Sequence, residues 1–238
     1  MPAPRFWAVI PAAGIGSRMA AGIPKQYLSI RGYTVLEHTL SRFCRHSLIS
    51  GVVAAIAVDD HRWPQLGISA HAKIRRADGG RERVHSVLNG LRALEREAEA
   101  DDWVLVHDAA RPCIRGSDIS TLIEKMREHP VGGLLGWPVR DTIKRVGEAE
   151  EVLETVDRTG LWHALTPQMF RLGEIKAALE QALAGDMLVT DEAQAMELAG
   201  RRPKFIKGAP DNMKITLKSD LELAEIYIRA QETDTACA

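Results

Sequence analysis

The sequence predicts an α/β fold in which a mostly parallel sheet carries helices on both faces and a β-hairpin arm protrudes from it. Short, nearly all-apolar runs at 6–10, 51–58, 103–107 and 131–137 alternate with stretches whose apolar residues recur three and four apart. Strands apolar on both sides belong to parallel sheets covered by helices. The alternation fails once, over 138–158, where two charged runs flank the polar turn Gly147-Glu148-Ala149-Glu150-Glu151. That is the pattern of two strands and a turn. Ligands on such sheets bind beyond the carboxyl ends of the strands, and there fall the loop around Gly16, the Gly79-Gly80 turn and Asp108.

The first strand, 6–10, runs into the segment 11–26, Pro-Ala-Ala-Gly-Ile-Gly-Ser-Arg-Met-Ala-Ala-Gly-Ile-Pro-Lys-Gln. Gly14 and Gly16 let the backbone turn tightly or approach a ligand closely, so loop N–H groups can point at phosphate oxygens. Arg18 and Lys25 add two cations, which points to a polyphosphate. A dinucleotide fingerprint is excluded because its third glycine position is Met19, and a Walker loop because Lys25 is followed by Gln26. Taken alone, the loop reads equally as a tight strand-to-helix turn with solvated basic residues.

A helix is expected over 35–43, a strand over 51–58 ended by Asp59 and Asp60, and a short strand over 73–77. A glycine turn over 78–83 leads to a helix over 84–94, with Val84, Val87, Leu88, Leu91 and Leu94 on one face. The charged stretch 95–102 reads as a solvated helix end. The strand 103–107 runs into Asp108-Ala109-Ala110-Arg111-Pro112, a helix follows over 117–126, and a strand over 131–137. The arm pairs 139–146 with 152–158. Helices near 174–183 and 191–198, a strand at 204–207, a short piece at 213–217 and a helix from 220 to about 229, with Ser219 as the expected N-cap, complete the chain.

With 238 residues, one domain over 1–238 with 138–158 inserted as the arm is expected. A net charge of -1 excludes the basic excess of a sequence-independent nucleic-acid binder, so an anion site must be a local concentration of charge. Cys44, Cys113 and Cys237 are too scattered for a disulfide framework, and no Cys-x-x-Cys pair suggests a structural metal. Residues 1–5 lack the regions of a signal peptide, and no apolar stretch approaches the roughly 20 residues of a membrane span. A cytoplasmic chain with no membrane and no nucleic-acid partner is expected, with no room for a fused second enzyme.

Asp108, at the end of a buried strand, is the best candidate for a metal carboxylate, since magnesium takes one or two protein carboxylates and fills its other positions with phosphate and water. The competing reading is an aspartate that starts a turn and pairs with Arg111. His107 reads as structural.

The ordered blocks resemble one family closely. They are Pro-Ala-Ala-Gly-x-Gly-Ser-Arg-Met with Pro24-Lys25-Gln26-Tyr27; Gly79-Gly80-x-x-Arg83-x-x-Ser86-Val87; and His107-Asp108-Ala109-Ala110-Arg111-Pro112. Later come Pro138-Val139-Arg140-Asp141-Thr142-Ile143-Lys144, the run from Thr155 through Arg158 to Thr166-Pro167-Gln168, Thr190-Asp191-Glu192-Ala193, and Asp211-Asn212-Met213-Lys214-Ile215-Thr216. From about Phe6 to Tyr227 the chain resembles the 2-C-methyl-D-erythritol 4-phosphate cytidylyltransferases.

The resemblance implies a Rossmann-like doubly wound fold and transfer of a cytidylyl group from CTP to methylerythritol phosphate with release of pyrophosphate, in the non-mevalonate route to isoprenoid precursors. It implies that Arg18 and Lys25 stabilise the transition state, that Arg158 and Lys214 position the attacking phosphate, and that Asp108 holds Mg2+. Ala12, Ala13, Gly14, Gly80 and Ser86 would contact the cytidine. Arg111, Thr142, Asp211 and Arg158 would line the acceptor side. A homodimer through the arm is implied, with Thr142 and Arg158 entering the partner's site. Met213 stands where isoleucine is usual, and Arg81 where a small or acidic residue often stands; Arg81 reads as solvated, with an added phosphate contact as the alternative. Alternatives are a ribitol-5-phosphate cytidylyltransferase, with Thr142 and Arg158 favouring the first reading, and a nucleotide-binding protein without turnover.

Overall fold

The computed structural model describes residues 3–14 and 23–236. The order is β1 (Phe6–Pro11), β2 (Ser29–Ile30), β3 (Tyr33–Thr34), α1 (Val35–Arg45), β4 (Ile49–Ile56), β5 (Ile74–Asp78), α2 (Arg83–Leu94), β6 (Trp103–Val106) and α3 (Gly116–Met126). There follow β7 (Gly132–Pro138), β8 (Ile143–Val146), β9 (Val152–Val156), β10 (Trp162–Arg171), α4 (Leu172–Ala184), α5 (Glu192–Leu198), β11 (Lys204–Lys207) and α6 (Ser219–Ala236). Among the described residues, seven strands form one sheet in the order β11-β7-β10-β6-β1-β4-β5. β6, β1, β4 and β5 are mutually parallel, and β11 is parallel to β7.

Period-two alternation divides the central strands between two apolar layers. Ala8 and Ile10 of β1 and Trp103 and Leu105 of β6 pack with Leu36, Leu40 and Phe43 of α1 and Ile119 and Leu122 of α3. Trp7, Val9, Val104 and Val106 face the other way, onto Val87 and Leu91 of α2 and Ile175 and Leu179 of α4. The doubly covered sheet is thus as expected. α1 begins where it does because Thr34 and Glu37 form a capping box: Thr34 Oγ1 accepts from Glu37 N at 3.1 Å, and Glu37 Oε2 accepts from Thr34 N at 2.8 Å.

Four features differ from expectation. β10 is a ten-residue strand, antiparallel to both β6 and β7, where no strand was expected. Its Thr166-Pro167 argues against a central strand by sequence, but the pairing with β7 breaks between Ala164 and Gln168, so Pro167 has no ladder bond to donate. The two-residue strands β2 and β3 pair with each other and are too short to show a period. Asp102 is not solvated: it is 3% exposed and accepts from Arg5 N at 2.8 Å, Trp7 Nε1 at 3.0 Å and Glu99 N at 3.1 Å. At α6 the carboxylate of Asp220, not the Ser219 hydroxyl, takes the leading donors, from Thr216 N at 2.7 Å and Leu217 N at 2.8 Å.

The arm forms as read, though shorter. β8 and β9 pair antiparallel in a separate two-stranded sheet, with Arg145 Nε and Glu154 Oε1 2.6 Å apart. No helix among the described residues is long and apolar enough to cross a membrane.

Candidate active site

A cleft of about 630 Å³ opens beyond the carboxyl ends of β1, β5 and β6. One wall is the chain leaving β1, whose Ala12 N donates to Ala55 O at 2.8 Å. Gln26, 5% exposed, spends its side-chain amide on the same wall, donating to Ala12 O at 2.8 Å and Gly14 O at 2.9 Å. Its neighbour Lys25 sits on a short 3-10 turn, Lys25–Tyr27, and its Nζ donates to Ile215 O at 3.1 Å. Tyr27 anchors that turn by donating to Asp60 Oδ2 at 2.8 Å.

The facing wall is the Gly79-Gly80 turn. A Cβ on Gly79 would lie 2.1 Å from the Ala13 Cβ, so the turn reaches the first wall only because residue 79 has none. Ser86, 3% exposed, accepts from Gly80 N at 3.0 Å and so holds the turn closed. Arg81 lines the cleft with a side chain 90% exposed.

The floor carries the charge. Asp108 Oδ1 accepts from Arg83 Nε at 2.9 Å, and its Oδ2 lies 2.8 Å from Lys214 Nζ and 3.6 Å from Arg111 Nε. Burial alone would raise the Asp108 carboxyl; Arg83, Lys214 and Arg111 outweigh it and hold the group well below the ordinary carboxylate range. Arg83 also grips Glu192, with Nη1 to Oε1 at 2.6 Å and Nη2 to Oε2 at 3.1 Å. Asp108 therefore has the Arg111 partner of the competing reading and two further cations besides. His107, fully buried, points Nε2 at Arg111 O at 3.0 Å, so that nitrogen carries the hydrogen and Nδ1 accepts from Thr166 Oγ1 at 2.9 Å. Burial pushes its pKa down to about 4, and it stays neutral and structural.

The structure thus brings together Ala12, Ala13, Gly14, Lys25, Gly80, Ser86, Asp108 and Lys214. Gly16 and Arg18 lie outside the described residues. Arg111 stands behind the floor, its Nη1 donating to Asn212 O at 2.8 Å. Asp211, 6% exposed, is engaged by Arg115 Nη2 at 2.7 Å and Gln231 Nε2 at 3.0 Å rather than opening on the cleft. Thr142 and Arg158 are exposed beside the arm strands, the Arg158 guanidinium donating to Arg140 O, and neither lines the cleft of its own chain.

The sequence by itself assigns no role to Gln26, Arg83, Glu192 or Thr216. Gln26 and Thr216 line the cleft beside Lys25 and Lys214. The signal for the Arg83–Glu192 pair was weak, since the two are 109 residues apart and each sits in a block whose neighbours suffice to explain it.

Among the described residues no group of three histidine, cysteine or acidic side chains could by itself hold a metal. The donor set at Asp108 suits only a cation whose remaining ligands come from elsewhere.

The profile of the 2-C-methyl-D-erythritol 4-phosphate cytidylyltransferases matches residues 6–230. A protein of that description from Pseudomonas entomophila is 54% identical over 220 residues, 92% of this chain and 94% of its own. One from Pseudomonas aeruginosa is 54% identical over 219 residues, with the same coverage of each chain. A crystal structure of a 4-diphosphocytidyl-2C-methyl-D-erythritol synthase superposes with a TM-score of 0.84 at 37% identity, over 96% of this chain and 100% of that one. The Francisella tularensis 2-C-methyl-D-erythritol 4-phosphate cytidylyltransferase superposes with a TM-score of 0.82 at 37% identity, over 94% of this chain and 99% of that one.

Proposed function

The chain belongs to the 2-C-methyl-D-erythritol 4-phosphate cytidylyltransferase family, and from that premise we propose how its own residues carry out the reaction. It transfers the cytidylyl group of CTP to 2-C-methyl-D-erythritol 4-phosphate, giving 4-diphosphocytidyl-2-C-methyl-D-erythritol and pyrophosphate for isoprenoid precursor synthesis. The observation that carries the mechanism is a single cleft in which a small-residue wall, Lys25, Lys214 and Asp108 meet.

An oxygen of the acceptor phosphate attacks the α-phosphorus of CTP, and the bond to the bridging oxygen breaks, its electron pair leaving on pyrophosphate. The attacking group is already an anion, so no general base is required. The protein's work is to hold two anions in line and to neutralise charge on the phosphoryl oxygens. Lys25, with Arg18, stabilises the charge that builds in the transition state. Lys214 exchanges its contact with Asp108 for the acceptor phosphate, which it positions together with Arg158. The backbone of Ala12, Ala13, Gly14 and Gly80, with Ser86, holds the cytidine, and the loop at Gly16 meets the phosphates.

Asp108 fits magnesium in one specific sense: it is a carboxylate on the cleft floor, kept ionised, with a side chain still 10% exposed. It would hold Mg2+ against the triphosphate, whose oxygens and water complete the coordination. The ion would supply charge neutralisation at the phosphates. The resemblance puts Arg111, Asp211 and Thr142 on the acceptor side: Arg111 and Asp211 would support it from behind the floor, where their side chains are engaged, and Thr142, with Arg158, would serve it through a homodimer in which the arm reaches the partner. The chain acts as one domain over 1–238, with 138–158 as the arm, in the cytoplasm.

The test is pyrophosphate release from each of the four nucleoside triphosphates with methylerythritol phosphate as acceptor. Release with CTP and this acceptor is expected, and release with ribitol 5-phosphate in its place would reassign the acceptor.

A further inference from the structure

The three cations around Asp108 are not equivalent. Lys214 reaches Oδ2 from a flexible side chain 39% exposed, and Arg111 stands 3.6 Å away. Arg83 alone is clamped by an acid of its own. Glu192 is 1% exposed, and both of its oxygens are taken by the two terminal nitrogens of Arg83, leaving Nε to meet Asp108 Oδ1. A planar guanidinium held at two corners has no freedom left to choose where the third nitrogen points.

The acid is itself fixed from behind. Glu192 is the first residue of α5, and Asp191 before it caps the helix, Oδ1 accepting from Gln194 N at 2.9 Å. Gln168 of β10, 1% exposed, donates to Asp191 Oδ2 at 3.0 Å and accepts from Ala193 N at 2.7 Å. β10 in turn pairs with β6, whose end carries Asp108. A closed circuit therefore runs from β6 through β10, α5 and Arg83 back to the Asp108 carboxylate.

We propose that Glu192, acting through Arg83, is a positioning residue for Asp108: the buried fork holds the carboxylate by Oδ1, so that Oδ2 is the oxygen presented to the metal-bound triphosphate. When substrate enters, Lys214 can leave Oδ2 for a phosphate, but Arg83 stays, because Glu192 would otherwise be left as an unpaired buried charge. Arg83 lines the cleft yet serves the carboxylate rather than the substrate. The inference rests on the reading of Asp108 as the metal carboxylate.

The variant Glu192→Gln keeps the shape of the clamp and removes its charge. Binding of Mn2+ to the enzyme–CTP complex, measured by electron paramagnetic resonance without acceptor, should weaken about tenfold or more, as is usual when a group supporting a metal ligand is altered. The Mg2+ concentration giving half-maximal turnover should rise in parallel, and kcat should fall, while KM for methylerythritol phosphate changes little. Wild-type Mn2+ affinity and kcat in a Glu192→Gln enzyme with a lowered melting temperature would overturn the proposal and leave the pair as packing. If that variant does not fold, Arg83→Lys, which keeps the charge and loses the fork, is read by the same two measurements. Asp108→Asn separates the two readings. If it weakens Mn2+ binding and Glu192→Gln does not, the positioning role alone fails; if neither does, both fail.

Discussion

Lys25 reaches the cleft on a turn whose next two side chains are both tied down, Gln26 to the chain leaving β1 and Tyr27 to Asp60, so its ammonium is delivered by a rigid mount. A fixed cation contributes most where charge appears only as the transition state forms. Lys25→Ala should therefore lower kcat by roughly 10²–10³ while raising KM for CTP far less, and steady-state kinetics showing a change confined to KM would assign it to ground-state binding. Asp102 makes a contrasting case, because its role is stability. Asp102→Ala would leave the N–H groups of Arg5, Trp7 and Glu99 without their acceptor and should cost about 3 kcal/mol, measurable by urea unfolding, with kcat unchanged. Asp108 was legible as a cleft residue because it follows a buried strand at the carboxyl end where ligands bind, although a turn aspartate paired with Arg111 fitted the sequence as well. Asp102 was not, since a charged run at a helix end usually is solvated, and only the fold brings Trp7 95 residues back to meet it.

At the scale of elements, strands and helices that repeat a period were legible nearly to the residue, as with α2 and β11. β10 was not, because its ladder is interrupted and its sequence mixes Thr166, Pro167 and Gln168 among apolar residues. That strand matters for the site: it holds Gln168, which fixes α5, and Thr166, whose Oγ1 accepts from Asp108 N at 3.2 Å. The turn after β5 acts by proximity instead. Gly79→Ala places a methyl 2.1 Å from the Ala13 Cβ and 3.3 Å from the Ile56 backbone, so one wall of the cleft has to move. The expected result is a rise in KM for CTP of about tenfold or more, the size of a shift of one to two kcal/mol, with the melting temperature lowered as well. Normal CTP affinity in this variant would show that the two walls need not touch.

For the molecule as a whole, the sheet places one set of candidate residues in the cleft and leaves another set outside it. Thr142 and Arg158 stand by the arm, where Val146 is 53% exposed and Val152 and Leu153 are each 60% exposed. A two-stranded hairpin is marginal in water unless it packs on something, and exposed valine and leucine side chains on both strands are what a second copy of the chain would cover. The arm was legible from its broken alternation, but which site it serves is a property of an assembly, and no pattern within one chain encodes that directly. The proposal that each site is built from two chains makes a quantitative prediction. Lys25→Ala and Arg158→Ala chains should each be nearly inactive as homodimers. In a heterodimer of the two, one site collects both defects and the other has an intact Lys25 from one chain and an intact Arg158 from its partner. If equal amounts exchange subunits and pair at random, half the dimers are mixed and half of their sites work, so activity should recover to about a quarter of wild type, an estimate resting on two-fold symmetry. Exchange is verified by a size tag on one variant. Verified exchange with no recovery would mean that Arg158 acts within its own chain, and that its place outside the cleft has to be explained by movement of the arm towards it.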